Sequence, residues 1–361
     1  MTSSGGPRPV LAVVRSKPSG DGVGYVGLLL QYALRDLYGK EPRLVALDAG
    51  ASATVSLSDG LRFIARLTAA QLTRPPAPPI FNHIGIARAQ RRVPRVFRRP
   101  YAVFLHGIEV WDPALDAERL NVIRDATVRL SNSFYSAHRV TAVHGGLGRI
   151  VPCPLALLPD AIGPSDADRV AARAIVGKAA PSVAIIGRMS LAERYKGHDE
   201  LLEAWPLVRR RYAGAQLIVV GRGDDLERLR QKAAELGVSD AVTFTGFLED
   251  GIMRAVLAEC DVYAMPSRGE GFGLAYLEAM RAGLPCIGSR SDAAVDVIEH
   301  EQTGMLVAAE DSSALASAIL RLFDDKNLRS RMGKAGQQRE REVFTFANFR
   351  DRVGAALSGA N

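Results

Sequence analysis

Residues 261–283 read DVYAMPSRGEGFGLAYLEAMRAG. The first seven, DVYAMPS, are an apolar run with a β-branched and an aromatic residue, which predicts a buried strand. The last ten, LAYLEAMRAG, follow a helical period and stop at Gly283. Between them Gly269, Gly271 and Gly273 surround Glu270 and Phe272. A strand that enters a glycine loop and leaves it as a helix is the repeating unit of a parallel α/β sheet. Free N–H groups at such a helix start attract anions, and glycine lets a phosphate come close to the backbone.

The same alternation extends in both directions. VLAVV at 10–14, RLVAL at 43–47, YAVFLH at 101–106 and RVTAV at 139–143 predict one series of strands. SVAIIG at 182–187, AQLIVVG at 215–221, AVTFTG at 241–246, DVYAMPS and LPCIGS at 284–289 predict a second. Helical stretches separate them, among them residues 197–212 and 224–237. Near-continuous apolar strands with helices between them imply parallel sheets covered on both faces. The 361 residues exceed what one hydrophobic core serves. The polar stretch DAIGPSDADRVAARAIVGKAAP at 160–181 has two prolines and no strand character. The expectation is therefore two Rossmann-like domains, 1–170 and 178–344, facing across a cleft, with a tail helix over 345–361 crossing back to the first. Ligands of such sheets bind at the carboxyl ends of the strands.

Composition excludes several classes. Apolar residues make up 47% of the chain, enough for two cores. The amino-terminal apolar stretch PVLAVV is too short for a signal core, and no run approaches the roughly 18 residues of a membrane span. Cys153, Cys260 and Cys286 are odd in number and lack CxxC spacing, so they read as thiols in a reducing cytoplasm. The net charge of +7 is local: Arg88, Arg91, Arg92, Arg95, Arg98 and Arg99 fall within RAQRRVPRVFRR, and without them the chain would be near neutral. This patch is either a solvated basic face or a docking surface for anionic lipid headgroups, with Val93, Val96 and Phe97 as a shallow apolar edge. A nucleic-acid partner is not expected, because no aromatic series interleaves the arginines.

Glu278 follows Glu270 by eight residues, which places the two carboxylates roughly 10–12 Å apart. That is too far for a paired general acid and base. It suits two acceptors gripping hydroxyls at the two ends of a nucleotide sugar, with the diphosphate over the helix start between them. EGFGLAYLE resembles the E-x7-E motif of the retaining glycosyltransferases of family 4, which have the GT-B fold. GRMSLAERYKGHDELLEA, VVGRGDDLERL, VTFTGFLED, LPCIGS and IEHEQTGMLV extend the resemblance across the second domain.

The resemblance implies a role for each matching residue. Glu270 contacts the transferred sugar and Glu278 the ribose, while the amides of Phe272, Gly273 and Leu274 meet sugar and phosphate. Arg188 and Lys196 clamp the diphosphate, and the backbone near Phe247 and Leu248 faces the base. Two fixed cations can also stabilise a leaving diphosphate as its charge develops, without a metal. No metal or other cofactor is expected, and Asp166-Ala167-Asp168 reads as a solvated turn. Two stretches depart from the family pattern: LPDAIG, with Asp160 and Ala161 where Asn-Gly is usual, and RSDAAVDVIEH, where a glycine-rich acidic turn is usual.

In the first domain Gly22-Val23-Gly24-Tyr25-Val26-Gly27 is a formal GxGxxG, with Asp48 ending the next strand. The dinucleotide fingerprint requires its turn to follow the strand at once. Here seven residues, 15–21, intervene. Gly22 and Gly24 therefore fit the family's first loop, over the donor phosphates. His106 ends a strand and corresponds to the family histidine that faces the donor sugar. Ser131 and Ser133 either line the cleft or cap a helix.

The activity the resemblance implies is transfer of a hexose from a UDP- or GDP-sugar to a hydroxyl, with a lipid-linked glycan intermediate as the expected acceptor, by a cytoplasmic enzyme held peripherally at the membrane. A sugar-nucleotide epimerase or hydrolase of the same fold is the alternative. An NAD-linked oxidoreductase and a non-catalytic binding protein remain as further readings.

Overall fold

The computed structural model describes residues 8–16, 22–48, 56–72, 78–159, 163–177 and 180–359. Its contacts divide the chain into two units, Met1–Leu158 with Phe346–Asn361, and Pro159–Thr345.

The first unit has six parallel strands: β1 (Val10–Val13), β2 (Arg43–Ala46), β3 (Pro79–Phe81), β4 (Ala102–Leu105), β5 (Val128–Ser131) and β6 (Ile150–Pro152). They lie in the order β2-β1-β3-β4-β5-β6. Its helices are α1 (Gly22–Tyr38), α2 (Leu57–Gln71), α3 (Ile84–Ala87), α4 (Ile108–Trp111), α5 (Ala117–Asp125) and α6 (Phe134–His144). The terminal helix, Phe346–Ser358, packs on α1 and β5, where Phe349 is fully buried against Phe104. All four residues of β1 and of β4 are buried, as sheets covered on both faces require.

The second unit holds β7 (Ser182–Ile186), β8 (Gln216–Val220), β9 (Val242–Gly246), β10 (Val262–Ala264), β11 (Cys286–Ser289) and β12 (Gly304–Val307), in the order β12-β11-β10-β7-β8-β9. Its helices are α7 (Asp166–Val176), α8 (His198–Arg211), α9 (Leu226–Glu235), α10 (Asp250–Glu259), α11 (Leu274–Arg281), α12 (Ala294–Val297), α13 (Ser312–Asp324) and α14 (Lys326–Val343).

Three expectations change. Residues 139–143 are helix, not strand: they lie in α6, which Ser133 caps by accepting from the amide of Ser136. The strand is upstream, at Val128–Ser131. The stretch assigned to a linker contains α7, and α7 packs on α10, so the division falls at 158/159 rather than at 170–178. Asp166 and Asp168 occupy the first turn of that helix. Asp168 completes a capping box with Ser165, which accounts for both acids at a helix start.

Each sheet reverses its direction of growth once. In the second unit the chain lays β8 and β9 to one side of β7, then returns to add β10, β11 and β12 on the other. In the first, β2 lies on one side of β1 and β3 to β6 on the other. At such a reversal the two loops leaving adjacent strands diverge and leave a crevice. Gly197 sits where the β7 loop crosses the β10 loop. Its φ is +92°, and a Cβ there would stand 2.7 Å from Pro266 Cγ. Gly237, at φ +67°, has open space around its missing Cβ. Gly197→Ala is therefore expected to cost about 2–5 kcal/mol, from backbone strain plus overpacking, and Gly237→Ala only about 1 kcal/mol. Urea unfolding of the two variants measures the difference, and equal costs would refute the crossing constraint.

Candidate functional site

The reversal in the second sheet gathers the candidate residues. Arg188 follows β7 by two positions, and Lys196 ends the 3-10 segment Leu191–Lys196 before α8. Glu270 lies in the loop after β10, and Glu278 lies on α11. Lys196 Nζ is 3.2 Å from Glu270 Oε2, with side chains only 16% and 19% exposed. Burial pushes the Lys196 ammonium down, but Glu270, Tyr195 and Glu193 outweigh it and hold its pKa above the usual value. Arg188 is 60% exposed and pairs with Glu193.

The Lys196 segment is fixed from outside. Arg194 donates to the buried Asp225 at 3.0 and 3.2 Å. Arg228 bridges Asp225 and Asp199. Burial pushes Asp199 up, but Arg228 and Lys232 pull its carboxyl down to about 2. Beside Lys196, the amide of Arg268 donates to the carbonyl of Tyr195 at 2.9 Å.

The Glu270 loop is held from beneath by a residue the sequence reading did not single out. Asp292 is wholly buried and accepts from the amides of Glu270 and Ala294, each at 3.0 Å. The amide of Ala293 returns a bond to the carbonyl of Glu270 at 3.1 Å. Burial pushes the Asp292 carboxyl up to about 7, against these amides and the Ser267 hydroxyl. The sequence marked RSDAAVDVIEH only as a departure from the family's glycine-rich acidic turn and gave no partner for Asp292.

α11 opens at Gly273, φ +87°, with no side-chain cap. Phe272 is buried against Phe344, so only its backbone can face a ligand. Tyr276 closes the underside of this turn, its hydroxyl donating to the carbonyl of Met265 at 2.5 Å. Glu278 is partly buried, and no hydrogen bond to its carboxylate is found among the described residues. Burial and then Asp250 push it up to about 7, against Arg254 and Arg281. Beyond β9, Phe247 is exposed and Arg222 lies over its ring at 5.2 Å, a pairing the sequence reading missed. Leu248 is half-buried beside it.

In the first unit His106 immediately follows β4. Its Nε2 donates to the carbonyl of Asn82 at 2.5 Å, and its amide donates to Glu109 Oε1 at 2.7 Å. Gly22 and Gly24 belong to the first turn of α1, while 17–21 lie outside the described residues. Asp48, the acid that would grip a ribose in the dinucleotide reading, accepts from the amide of Ser16 at 2.7 Å and so ties the end of β2 to the loop after β1. Ser131 is buried and donates to the carbonyl of Ser133, so both serines serve the turn into α6. Val93 is core, 1% exposed, and not part of an apolar edge. Asp160 and Ala161 lie outside the described residues. All three cysteines are buried thiols.

A sequence model described as Glycosyl transferases group 1 matches residues 180–325. The GDP-mannose-dependent alpha-(1-6)-phosphatidylinositol monomannoside mannosyltransferase of Mycolicibacterium smegmatis is 32% identical over 265 residues, 70% of this chain and 69% of that protein. The chain belongs to the group 1 glycosyl transferases. The protein of the same name from Mycobacterium tuberculosis is 36% identical over 245 residues, and the alignment spans 64% of this chain and 63% of that relative's length. Among solved structures, Anabaena HepE in complex with UDP and glucose matches with a TM-score of 0.79 at 19% identity, covering 98% of this chain and 100% of that one. Sucrose-phosphate synthase from Thermosynechococcus elongatus matches with a TM-score of 0.81 at 21% identity, covering 97% and 98%. The fold of this group 1 glycosyl transferase is thus GT-B.

The raised pKa of Glu278 has a consequence for stability. A carboxyl raised from 4.5 to about 7 in the folded state favours folding fully below pH 4.5 and loses that contribution as pH rises towards 7. Glu278→Gln should therefore gain stability relative to the native chain as pH goes from 5 to 8, on the order of 1 kcal/mol after discounting for partial exposure. Urea unfolding across that range measures it, and a difference that stays flat or reverses would refute the assignment.

Proposed function

We propose that the chain is a retaining, metal-independent hexosyltransferase that moves mannose from GDP-mannose to a hydroxyl of a lipid-linked acceptor. The carrying observation is the second unit's loop: a glycine-opened helix with Glu270 before it, Glu278 within it and Lys196 beside Glu270. In this reading the diphosphate lies over the first amides of α11, with Lys196 and Arg188 taking the charge that develops on the leaving group. Glu270 holds the transferred sugar and Glu278 the ribose. The leaving phosphate's own oxygen takes the acceptor proton on the same face, so no carboxylate nucleophile is assigned. The names of the relatives support a GDP-mannose donor and a phosphatidylinositol-type acceptor. Phe247 with Arg222 offers a surface for the base.

The arginine segment supports action at a membrane surface on the cytoplasmic side. Arg88 and Arg92 pair with Glu118, Arg91 with Asp125, and Arg98 with backbone carbonyls. The side chains of Arg95 and Arg99 have no partner among the described residues, and Val96 between them is 79% exposed. No helix of the described residues is long and apolar enough to cross a membrane. Contact with an anionic bilayer through Arg95, Val96, Phe97 and Arg99 follows from that chemistry.

Two experiments test this. Glu270→Ala should abolish mannose transfer while GDP affinity stays within a few-fold, and Lys196→Ala should weaken GDP at least tenfold more than guanosine. GDP should raise the melting temperature more than UDP, and EDTA should leave the rate intact. Native turnover in Glu270→Ala would overturn the site. Separately, Arg95→Glu with Arg99→Glu should lower affinity for phosphatidylinositol-containing vesicles at least tenfold, since each arginine contributes about 1 kcal/mol at such a surface. Unchanged vesicle binding would remove the docking surface and leave the transfer chemistry standing.

A further inference from the structure

Asp292 is a wholly buried acid to which the transfer reading gives no task. It follows β11 by three residues and leads into α12. A carboxylate so placed is costly unless its oxygens are bonded. Here the two oxygens are divided between two loops. Oδ2 accepts from the amide of Glu270, in the loop after β10, and Oδ1 from the amide of Ala294, in its own turn, each at 3.0 Å. The Ser267 hydroxyl is a third donor to the carboxylate, and its oxygen accepts from the Gly269 amide at 3.2 Å.

The amide of Ala293 completes the set by donating to the Glu270 carbonyl at 3.1 Å. Glu270 is thus held by both its amide and its carbonyl, while its side chain reaches Lys196. Close packing backs the turn. A Cβ on Gly288 of β11 would stand 2.9 Å from Ala294 Cβ and 3.1 Å from the Tyr276 hydroxyl oxygen.

Glu270 from the β10 loop and the buried Tyr276 phenol from α11 face Asp292. The Lys196 ammonium on the adjoining loop pairs with Glu270 rather than with it. Burial pushes the Asp292 carboxyl up to about 7, with the Glu270 charge adding to the rise and the three donors opposing it. The ionised carboxylate accepts from all three. Protonation sets a donor hydrogen among those donors and weakens the hold on the Glu270 backbone.

We propose that Asp292 is a positioning residue for the transfer: its carboxylate fixes the Glu270 backbone, and through it the point at which the transferred sugar is gripped. This rests on the transfer reading above, and the ionised form is the working one. At saturating GDP-mannose, kcat of the native full-length protein should therefore rise about threefold or more from pH 6 to pH 8. Asp292→Asn keeps the volume, cannot titrate and sets an NH2 group against an amide. It should lose about tenfold or more in kcat at pH 8 and lose the rise with pH, while its GDP affinity at that pH stays within a few-fold of native. Ser267→Ala keeps the carboxyl but removes one donor to its ionised form, so the rise should move up by about one pH unit. Hydrogen exchange needs no turnover, and at residues 269–272 it should be about tenfold faster in Asp292→Asn, with α8 unchanged. The melting shift that GDP produces reports whether each variant is folded; if Asp292→Asn is not, the Ser267→Ala profile decides. A native kcat and pH profile in folded Asp292→Asn, or an unmoved profile in Ser267→Ala, would overturn the positioning role. Absence of transfer by the native protein, with the contrast in exchange intact, would instead overturn the transfer reading and leave the hold on the loop standing.

Discussion

Lys196 and Glu270 meet at 3.2 Å from two loops that belong to different strands. Everything proposed for the second unit depends on that contact. The strands β7 and β10 are neighbours in the sheet but far apart in sequence, because β8 and β9 are laid down between them. A cation from one loop and an anion from the other come together only because the sheet reverses there. Both are largely withdrawn from water, and each compensates the other's lost hydration. Under the proposed reading, a phosphate approaching Lys196 competes with Glu270 for it.

Such a pair needs its loops held, and the holding falls to residues outside the pair. Gly197 lets the β7 loop pass against Pro266. Asp225 fixes Arg194 two residues before Lys196. Asp292 binds the Glu270 amide and the start of α12 together. This buried acid occupies the amides of Glu270 and Ala294 and ties its own turn to the loop before it.

The legible part of the sequence was the part where pattern and chemistry coincide. In the second unit strands β7 to β11 each stand as an apolar run ending in a glycine or serine, and the polar groups that follow them are the site. β12, GMLV, was missed because it is four residues long and enters from a turn, IEHEQT, with no strand signal of its own. In the first unit RVTAV carries β-branched residues at strand spacing, yet the chain makes it helical. Ser133 caps the helix start, and Val140 enters the core while Thr141 bonds back to the carbonyl of Ala137. A short apolar run cannot be assigned by period alone, and the serine upstream was the deciding signal. Side-chain partners were invisible for a plainer reason. Nothing in the spacing of Asp292 and Glu270, or of Glu118 and Arg88, says that they face each other, because the sheet order that unites them is a tertiary fact.

The two units nevertheless arrive at one device independently. At the reversal of the first sheet, Asn82 follows β3 and is 1% exposed. Its side chain accepts from the Val14 amide at 3.2 Å and donates to the Val23 carbonyl at 3.1 Å, while its carbonyl accepts from His106 Nε2. One buried residue, through its side-chain amide and its backbone carbonyl, therefore ties the loop after β1, the start of α1 and the histidine that follows β4. Gly27 makes room, since a Cβ there would stand 3.0 Å from Asn82 Nδ2. In the second unit Asp292, which follows β11, performs a similar service for the Glu270 loop that leaves β10 beside the reversal. A diverging pair of loops has no ladder of backbone bonds to hold it, and leaving its amides unpaired inside the protein would cost about 1–3 kcal/mol apiece. A buried side chain with two hydrogen-bonding atoms removes that cost and fixes the loop in one geometry. Glu270 and His106 both stand on backbone fixed in this way, which is why the sheet reversals hold the candidate residues in one geometry.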